Sequence, residues 1–532
     1  MKTESDFRVG QRVHSINDPR RVGTVMYVGE VQGYSGVWIG VDWDKDGDGK
    51  HDGSVNCVRY FQARSDCSAS FVRPQNLSHG ITLLQALELR YRTTSSKDEE
   101  DEMYVLSTRN QRVSVQLLGK EKIQDKLSRF EELTSASLSY LGVSSLGTSS
   151  DAGSVIPNLK ELDLTGNLIS EWKEIGALCE QLRSLTALNL SCNSLAHDNM
   201  YLPQLNIRVL VLNNTGVTWT QVEMVGRSLP LLEELHLLGN KIAAVTSPAD
   251  QSFNSLRLLN LDDNCFSDWG EVLKLSQLRC LEQLYLNNNK LSHIFYPDSD
   301  MLLKLFDGHG SLGKSCEPFE NLHCLLLGSN NIGDLAAIDS LNSFPKLMDI
   351  RLSENPISDP SRGGVPRFVL VARLRNVQVL NGSEVKARER KDSEIRYVRQ
   401  VMSKCNDNQG EIESLHPRFF ELKKLHGIED ESQTVGATGP QNMASGLLSV
   451  TLKCVSASIG EKPIITKKFP SSTTVGKLKI LCDNFFKLKS LKPKLFLQEE
   501  GSPLPASLDD EMANLLDVGI SDGSTVLVDL ED

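Results

Sequence analysis

The sequence predicts a multidomain protein with a small all-β barrel, an α/β solenoid and a C-terminal α+β domain. Three observations carry this prediction: short alternating apolar runs among glycines at the start, an internal leucine repeat, and a β-β-α-β-β order at the end. A chain of 532 residues is also too long for one core. The predicted ranges are 7–78 for the barrel, 79–150 for a connecting segment and the N-terminal flank of the solenoid, 151–404 for the solenoid with its C-terminal cap, 405–446 for a linker and 447–532 for the last domain.

Charge, hydropathy and cysteine spacing argue against nucleic-acid binding, a membrane span and a disulfide framework. The formal net charge is −12, so the chain lacks the broad positive field that drives nucleic-acid binding. It contains no run of 18 apolar residues, so no membrane span is expected. The 11 cysteines are scattered without a Cys-x-x-Cys pair, which indicates free thiols in a reducing compartment. No cofactor, metal ligand or catalytic residue is predicted, and a cytoplasmic, cytoskeletal location is expected.

The barrel contains a stretch, DKDGDGKHDGSV at Asp44–Val55, with two interpretations. The first is a calcium-binding EF-hand loop, for which three aspartates and Gly49 stand at the required positions. However, Val55 occupies the position of the bidentate glutamate, and the flanking segments are predicted strands where the EF-hand needs helices. The calcium interpretation is therefore disfavoured.

The second interpretation is a peptide-binding groove. The segment GKHDGSVNCVRYF, with SGVWIGVDWD before it, SFVRPQNL after it and GTVMYVG further upstream, resembles the CAP-Gly domain. That resemblance implies a groove for an acidic C-terminus that ends in an aromatic residue. The family motif is Gly-Lys-Asn-Asp-Gly, and His51 stands here in place of the asparagine. The predicted groove residues are Trp38, Gly49, Lys50, His51, Asp52, Gly53 and Phe71.

The residue types suit this groove. Glycines allow close backbone approach and positive φ angles, Lys50 offers a positive charge to a carboxylate, and aromatic rings form a pocket for a terminal ring. Packing offers an alternative explanation for the aromatic residues. Trp38 suits both the pocket and the barrel core, whereas Tyr60 and Phe61 are assigned mainly to the core.

The middle of the chain carries eight copies of a Leu-x-x-Leu-x-Leu-x-x-Asn-x-Leu pattern, typical of a leucine-rich-repeat solenoid. Successive starts lie 22–26 residues apart, except for one interval of 41. The copies start at Leu159, Leu185, Ile207, Leu232, Leu256, Leu281, Leu322 and Leu347. Each Leu-x-Leu pair predicts a short strand with inward leucines, and stacked coils supply the core.

Two further sets of repeat positions have predicted roles. An asparagine that bonds the backbone of the following turn is expected at Asn167, Asn193, Asn240, Asn264, Asn289, Asn330 and Asn355, with Thr215 in the third repeat. The outward strand positions predict a concave surface, where solenoids bind proteins. These are Asp163, Asn189, Val211, His236, Asn260, Tyr285, Leu326 and Arg351.

The long interval contains GHGSLGKS at Gly308–Ser315, which matches the phosphate-binding P-loop pattern. A P-loop must follow a strand and open a helix, and this stretch leads into a repeat strand instead. We therefore expect an exposed loop. After the repeats, a segment from Val371 resembles the cap of intracellular leucine-rich repeats, with a charged helix from about Ser383.

The last segment resembles a ubiquitin-like domain of the β-grasp fold. Its strands are predicted at LSVTLKCV, PIITKKF, KLFLQ and STVLVDL. The intervening helix carries Val475, Leu478, Leu481 and Phe485 on one face. The sequence ends in VDLED rather than Gly-Gly, so conjugation in the manner of ubiquitin is not expected.

Taken together, the order of the three parts resembles the family of tubulin-folding cofactor E, also called tubulin-specific chaperone E. This resemblance implies a chaperone and not an enzyme. It would capture α-tubulin and, with C-type, D-type and B-type tubulin cofactors, assemble or dissociate the αβ-tubulin heterodimer. For the ubiquitin-like domain it leaves two roles open, contact with another cofactor or a link to the proteasome. One alternative is a microtubule-end adaptor that binds tubulin tails; a P-loop NTPase is a further rival.

Overall fold

The computed structural model describes residues 7–92, 104–106, 112–114, 127–145, 152–195, 202–246, 253–297, 317–404, 409–428, 447–455, 462–470, 473–488, 493–498, 505–508, 511, 514–515 and 518–530. The chain forms two compact units. The first comprises Met1–Phe266 with Gly270–Leu286, and the second comprises Ser267–Trp269 with Asn287–Asp532. The predicted all-β, solenoid and β-grasp parts are all present.

The barrel at the start of the first unit is all-β, as predicted. Its strands are β1 (Arg12–Ser15), β2 (Val22–Val31), β3 (Tyr34–Trp43), β4 (Ser54–Val55), β5 (Val58–Arg59), β6 (Ala69–Val72) and β7 (Leu77–Ser78). Five of them form an antiparallel sheet in the order β6-β3-β2-β1-β7. Alternation along the strands buries a core of Val13, Val25, Ile39, Val41, Trp43 and Leu77.

The described residues of the connecting segment form short strands and one α-helix, and one of these strands pairs with a strand beside the first coil of the solenoid. The segment contains β8 (Ile81–Thr82), α1 (Leu83–Tyr91), β9 (Tyr104–Leu106), β10 (Arg112–Ser114), β11 (Ser135–Ser137) and β12 (Val143–Ser145). Thr82 begins α1 with a capping box, in which its hydroxyl accepts from Gln85 N–H and the Gln85 side chain accepts from Thr82 N–H. Strand β8 pairs in parallel with β12.

The solenoid of the first unit begins one coil earlier than the predicted first repeat. Strand β11 pairs in parallel with β13, and Ala136 lies opposite Leu162 in the same register as the later coils. The segment LTSASLSYLGV at 133–143 supplies this coil, with Ala136 at a leucine position and Leu141 at the asparagine position. Because of these two residues, the segment does not match the leucine-rich-repeat pattern.

The remaining strands of this unit continue in parallel, each in register with the next. They are β13 (Glu161–Asp163), β14 (Ala187–Asn189), β15 (Val209–Val211), β16 (Glu234–His236), β17 (Leu258–Asn260) and β18 (Gln283–Tyr285). The helices on the other side of the coils are α2 (Ala152–Val155), α3 (Trp172–Gln181), α4 (Trp219–Arg227) and α5 (Trp269–Leu273). The central leucine of each strand is buried, as the repeat pattern predicts.

The second unit contains the last coils and their cap. Its elements are β19 (Cys324–Leu326), α6 (Leu335–Ser340), β20 (Asp349–Arg351), α7 (Arg367–Arg373), β21 (Val379–Leu380), β22 (Ser383–Glu384), α8 (Ala387–Lys404), α9 (Gln409–Leu415) and α10 (Phe419–Leu425). Strands β19, β20 and β21 are parallel, and β22 turns back antiparallel to β21. The charged cap helix is present as α8.

The segment 405–446 was predicted to be a linker, but the structure forms helices in its first half. Residues 409–425 form α9 and α10, and these helices pack on the cap. Ile412, Phe419 and Leu422 are buried in one cluster with residues of α7 and α8 such as Val398. Three well-spaced apolar side chains therefore order a segment whose overall composition is polar. Residues 429–446 lie outside the described residues.

The C-terminal domain has the predicted β-grasp order, with β23 (Leu447–Cys454), β24 (Ile465–Pro470), α11 (Val475–Phe486), β25 (Pro493–Gln498), β26 (Ala506–Ser507) and β27 (Thr525–Leu530). The sheet order is β24-β23-β27-β25-β26, with β23 and β27 parallel at its centre. Val475 and Leu478 face its core as predicted, and Cys482 and Phe486 join them. No helix in the described part of the chain is long and apolar enough to cross a membrane.

Candidate peptide-binding groove and concave surface

The groove motif lies between β3 and β4 and runs beside β6. Gly49 N–H donates to the carbonyl oxygen of Cys67 at 2.8 Å, and Lys50 N–H donates to that of Ala69 at 2.6 Å. Ala69 N–H donates in return to the carbonyl oxygen of His51 at 2.9 Å. This short ladder holds the motif against the sheet and leaves the Lys50 side chain exposed.

At two positions of the motif, only glycine fits without a steric clash. A Cβ on Gly49 would lie 2.2 Å from the carbonyl carbon of Ser68. A Cβ on Gly53 would lie 2.2 Å from the carbonyl oxygen of Phe61, and the φ angle of Gly53 is +96°. Larger residues would therefore push the motif away from the sheet.

His51 is held on two sides. Its Nδ1 accepts from Gly53 N–H at 3.1 Å, which assigns the remaining ring proton to Nε2. Its ring stacks on Phe71 with centroids 5.1 Å apart and an interplanar angle of 28°. Burial lowers the pKa of His51, and the nearby Asp52 carboxylate only partly opposes this shift. The ring is thus neutral at neutral pH.

Asp52 shapes the turn after the motif. Its carboxylate accepts from Ser54 N–H at 3.1 Å and from the Arg59 guanidinium at 2.6 Å. Desolvation raises the pKa of Asp52, but the Ser54 hydrogen bonds and the Arg59 charge together outweigh it, so the pKa is lowered. Its main-chain oxygen also accepts from Ala63 N–H at 3.1 Å. Asp52 therefore acts within the protein, and not as a free charge.

Phe71 is the centre of an aromatic cluster. Its ring meets Tyr27 at 6.0 Å, Tyr60 at 5.3 Å and Phe61 at 5.7 Å, all edge to face. Phe61 is buried, as expected, whereas Tyr60 is half-buried and its hydroxyl accepts from Gln32 N–H at 2.8 Å. Sequence reasoning missed Tyr27, which the β2–β3 register places opposite Gly40.

Trp38 lies at the far end of this face. Trp38 stands two residues before Gly40 on β3, and Gly40 pairs with Phe71 on β6. The side chains of Trp38 and Phe71 therefore point to the same side of the sheet. The contacts of the indole ring are with Tyr34, at 5.9 Å, and with the Arg73 guanidinium, 3.7 Å above it. The structure thus groups His51 with Phe71 and places Trp38 beside the positive charge of Arg73.

The aspartates of the calcium-like pattern have other partners. The Asp44 carboxylate pairs with the Arg12 guanidinium, and Asp46 accepts from the Ser65 hydroxyl. Strands β3 and β4 flank the segment. Among the described residues, no group of three acidic, His or Cys side chains is placed to hold a metal ion. The Asp44 and Asp46 carboxylates are therefore engaged within the barrel.

The concave surface has the predicted register. In the first unit, Asp163, Asn189, Val211, His236, Asn260 and Tyr285 are direct neighbours along the sheet, and Ser137 of β11 extends the row. In the second unit, Leu326 lies opposite Arg351. These side chains are half-buried, except for Ser137 and Arg351, which are exposed.

Two members of this row are tuned by their neighbours. Desolvation raises the pKa of Asp163, but hydrogen bonds from Thr165, Ser139 and Ser137 outweigh it and lower the pKa overall. Burial lowers the pKa of His236 despite the adjacent Glu234. The row is therefore polar and negative at one end. The P-loop-like stretch at 308–315 lies outside the described residues.

The chain is similar to known proteins both in its first domain and over its full length. The model of the CAP-Gly domain family matches residues 9–77. The chain is 74% identical to "Tubulin-folding cofactor E" of Arabidopsis thaliana, covering 100% of both chains. It is 32% identical to "Tubulin-specific chaperone E" of Danio rerio, covering 98% of this chain and 99% of the relative. Residues over 18% of the chain match the solution structure of the C-terminal ubiquitin-like domain of mouse tubulin-specific chaperone e, with 27% identity, 96% coverage of that domain and a TM-score of 0.15.

Proposed function

This chain belongs to the family of tubulin-folding cofactor E, also called tubulin-specific chaperone E, and is a tubulin-folding chaperone; we propose that it captures α-tubulin at two places. The CAP-Gly groove holds the acidic C-terminal tail of α-tubulin, and the concave surface of the solenoid contacts its folded body. The observation that carries this proposal is the ring of Phe71, stacked on His51 beside the exposed Lys50.

The groove offers what an acidic, tyrosine-ending tail needs. Lys50 provides an exposed ammonium group for a carboxylate, and Arg73 brings a second positive charge to the same face of the sheet. The aromatic cluster around Phe71 offers edges and faces to a terminal Tyr ring. His51 replaces an amide side chain with a neutral ring, and retains one donor, Nε2–H, for the tail.

The solenoid offers an extended surface to a large partner. Its concave row combines carboxylate, amide, imidazole and phenol side chains with the apolar Val211, a mixture that suits a protein surface. Two contacts on one chain gain affinity beyond either alone when both can be made together. The groove is therefore proposed to add to the solenoid contact rather than to replace it.

The wider role is proposed on the family relationship. The chain acts without catalysis of its own in the cytoplasm and on the cytoskeleton, with C-type, D-type and B-type tubulin cofactors, to assemble and dissociate the αβ-tubulin dimer. Its ubiquitin-like domain is proposed to contact the proteasome. The relatives, a tubulin-folding cofactor and a tubulin-specific chaperone, favour a role in folding over the alternative of a microtubule-end adaptor.

The test replaces Lys50 with Ala in the full chain and measures binding of a peptide with the α-tubulin tail sequence. A lost charge-assisted hydrogen bond costs about 1.5 kcal/mol, so we expect roughly tenfold weaker binding. Lys45→Ala is the matched control, because Lys45 is exposed in the same loop but precedes the motif.

A second arm uses αβ-tubulin treated with carboxypeptidase to remove the terminal Tyr. Weaker complex formation in gel filtration would support tail recognition by the groove. Equal binding by Lys50→Ala and Lys45→Ala, together with no effect of the treatment, would show that the groove does not read the tail. An adaptor would instead co-sediment with microtubules and leave free dimers intact.

A further inference from the structure

The C-terminal domain lies against the cap helix α8 within the second unit. A cleft of about 690 Å³ lies between them and is lined by residues of both. The α8 side of the cleft includes Arg388, Asp392 and Arg396. These residues are four apart, so they share one face of the helix. The opposite side includes the loop before β27, with Gly519 and Gly523. One helix face therefore meets one loop.

Two arginines cross this cleft to the same loop. Arg388 Nη2 donates to the carbonyl oxygen of Asp522 at 2.6 Å. Arg396 Nη2 donates to the carbonyl oxygen of Val518 at 2.6 Å. Hydrogen bonds from a charged donor are stronger than neutral ones, and both bonds use main-chain oxygens. The loop is thus hydrogen-bonded to α8 near both of its ends, at Val518 and Asp522, and these bonds do not depend on the loop's side chains.

The loop is shaped around Arg396. The Arg396 guanidinium lies 3.7 Å above the Phe368 ring, which fixes its direction. Gly519 has a φ angle of +84°, and a Cβ there would lie 1.9 Å from Arg396 Nε. By contrast, a Cβ on Gly523, at φ +85°, would lie 3.6 Å from Arg388 Nη2, which is ordinary contact. Gly519 is therefore fitted to the arginine, not only to the turn.

The two sides of the cleft have separate hydrophobic cores. The cap core contains Phe368, Tyr397 and Val398, whereas the C-terminal core contains Leu495 and Val526, and the two clusters share no residue. Phe368 and Leu497 reach the cleft lining, but each belongs to the core of its own side, so opening the contact separates the two cores without dividing either one. The geometry is that of a separable contact.

We propose that Arg388 and Arg396 form an intramolecular latch that holds the ubiquitin-like domain closed on the cap. In the closed arrangement Gln498, Ser521 and Thr525 of the domain line the cleft. Opening uncovers this side of the domain, so the latch controls its exposure to solvent. The proposal does not depend on the tubulin contacts described above.

The first test compares two full-length double variants by hydrogen–deuterium exchange. R388E/R396E reverses the latch charges, and K391E/R399E makes the same change of net charge at the same spacing on α8, away from the cleft lining. We expect at least tenfold faster exchange in residues 518–524 for the first variant and wild-type exchange for the second. Unchanged exchange in 518–524 for a folded R388E/R396E would overturn the latch.

A second test approaches the contact from the other side and guards against a misfolded cap. G519A and G523A introduce the same backbone strain at positive φ, but only G519A meets Arg396. We expect G519A to raise exchange along the cleft-facing part of α8, around Arg396, and G523A to leave it unchanged. The double variant G519A/R396A, without the clash, should match R396A alone. Equal exchange in α8 for G519A and G523A would contradict the proposal.

Discussion

At the residue scale, the asparagine of each repeat does more than the sequence pattern predicts. Asn193 is 1% exposed, and its Nδ2 donates to the carbonyl oxygens of Leu164 and Leu190 at 2.9 and 3.0 Å. Its Oδ1 accepts from Ile169 N–H at 3.2 Å. Leu164 and Ile169 belong to the preceding coil, so the side chain joins two coils. Only the link to its own turn was expected.

Thr215 shows how a shorter side chain fills the same place. Its hydroxyl donates to the Leu212 carbonyl oxygen of its own coil at 2.9 Å. The link to the preceding coil is made by the backbone instead, since Leu195 N–H donates to the Thr215 carbonyl oxygen at 3.3 Å. Thr215 therefore contributes fewer side-chain hydrogen bonds than Asn193.

This difference predicts unequal costs for alanine at the two positions. Asn193→Ala leaves buried backbone groups of two coils without partners, at about 1–3 kcal/mol for each, so we expect a loss of about 3 kcal/mol in the free energy of unfolding. Thr215→Ala should lose about 1 kcal/mol. Urea denaturation of the full chain measures both. Equal losses would show that the asparagine ladder contributes no more than the backbone.

His51 predicts a pH dependence within the groove. Its pKa is lowered from the ordinary 6.5, so the unfolded chain binds the proton more readily than the folded chain. This contribution to stability is present above pH 6.5 and is lost as the pH falls below that value. A protonated ring also has no lone pair for Gly53 N–H.

We therefore expect hydrogen exchange at the Gly53 amide, corrected for intrinsic rate, to lose protection between pH 7 and 5. His51→Asn, which carries no titratable group, serves as the comparison and should show a flat profile. A parallel decline in both chains would assign the effect to another group.

At the element scale, the parts that the sequence predicts well are those with a strict period. The leucine spacing gives the strands β13 to β20, and their side chains face as expected because a two-residue period leaves one choice of inner face. The coil at β11 was missed because Ala136 and Leu141 replace the two most diagnostic residues. The groove motif was located by its sequence, but Tyr27 comes from a distant strand whose register the sequence does not specify.

The helices α9 and α10 were missed for a different reason. Their segment is mainly polar, and only Ile412, Phe419 and Leu422 are buried against the cap. Tertiary packing, and not local pattern, decides such short helices, because isolated helices of this length are marginal. Composition alone therefore suggested a linker.

Adjacent phenylalanines test this packing. Phe419 is 3% exposed in the cap core, and Phe420 is 38% exposed. We expect Phe419→Ala to lower the free energy of unfolding of the cap by about 3–5 kcal/mol and Phe420→Ala to change it by less than about 1 kcal/mol. Hydrogen exchange across α8 and α10 gives the local values. Similar small effects at both positions would mean that α10 does not complete the cap.

At the scale of the whole molecule, the barrel that carries the groove motif meets the solenoid of the first unit through a pair of strands and a buried helix face. Strand β8 pairs with β12, and Leu83 and Leu87 of α1 are fully buried behind this junction. Gly80 has a φ angle of +92°, and a Cβ there would lie 2.4 Å from the Gly142 carbonyl oxygen. A fixed junction holds the two proposed tubulin contacts at one distance from each other. A flexible junction would set only the maximum distance between them.

Gly80→Ala tests whether this fixed geometry matters for capture. The added methyl group meets backbone, so the junction must open, while Gly10→Ala, at φ +87° with open space around it, imposes similar strain without a clash. We expect Gly80→Ala to weaken binding of αβ-tubulin about tenfold while binding of the isolated tail peptide is unchanged, because the two contacts lose their common alignment. Gly10→Ala should bind both ligands as the wild type does. If Gly80→Ala opens the junction, as faster exchange in α1 would show, yet holds αβ-tubulin with full affinity, then the two surfaces act independently and their alignment has no role in capture.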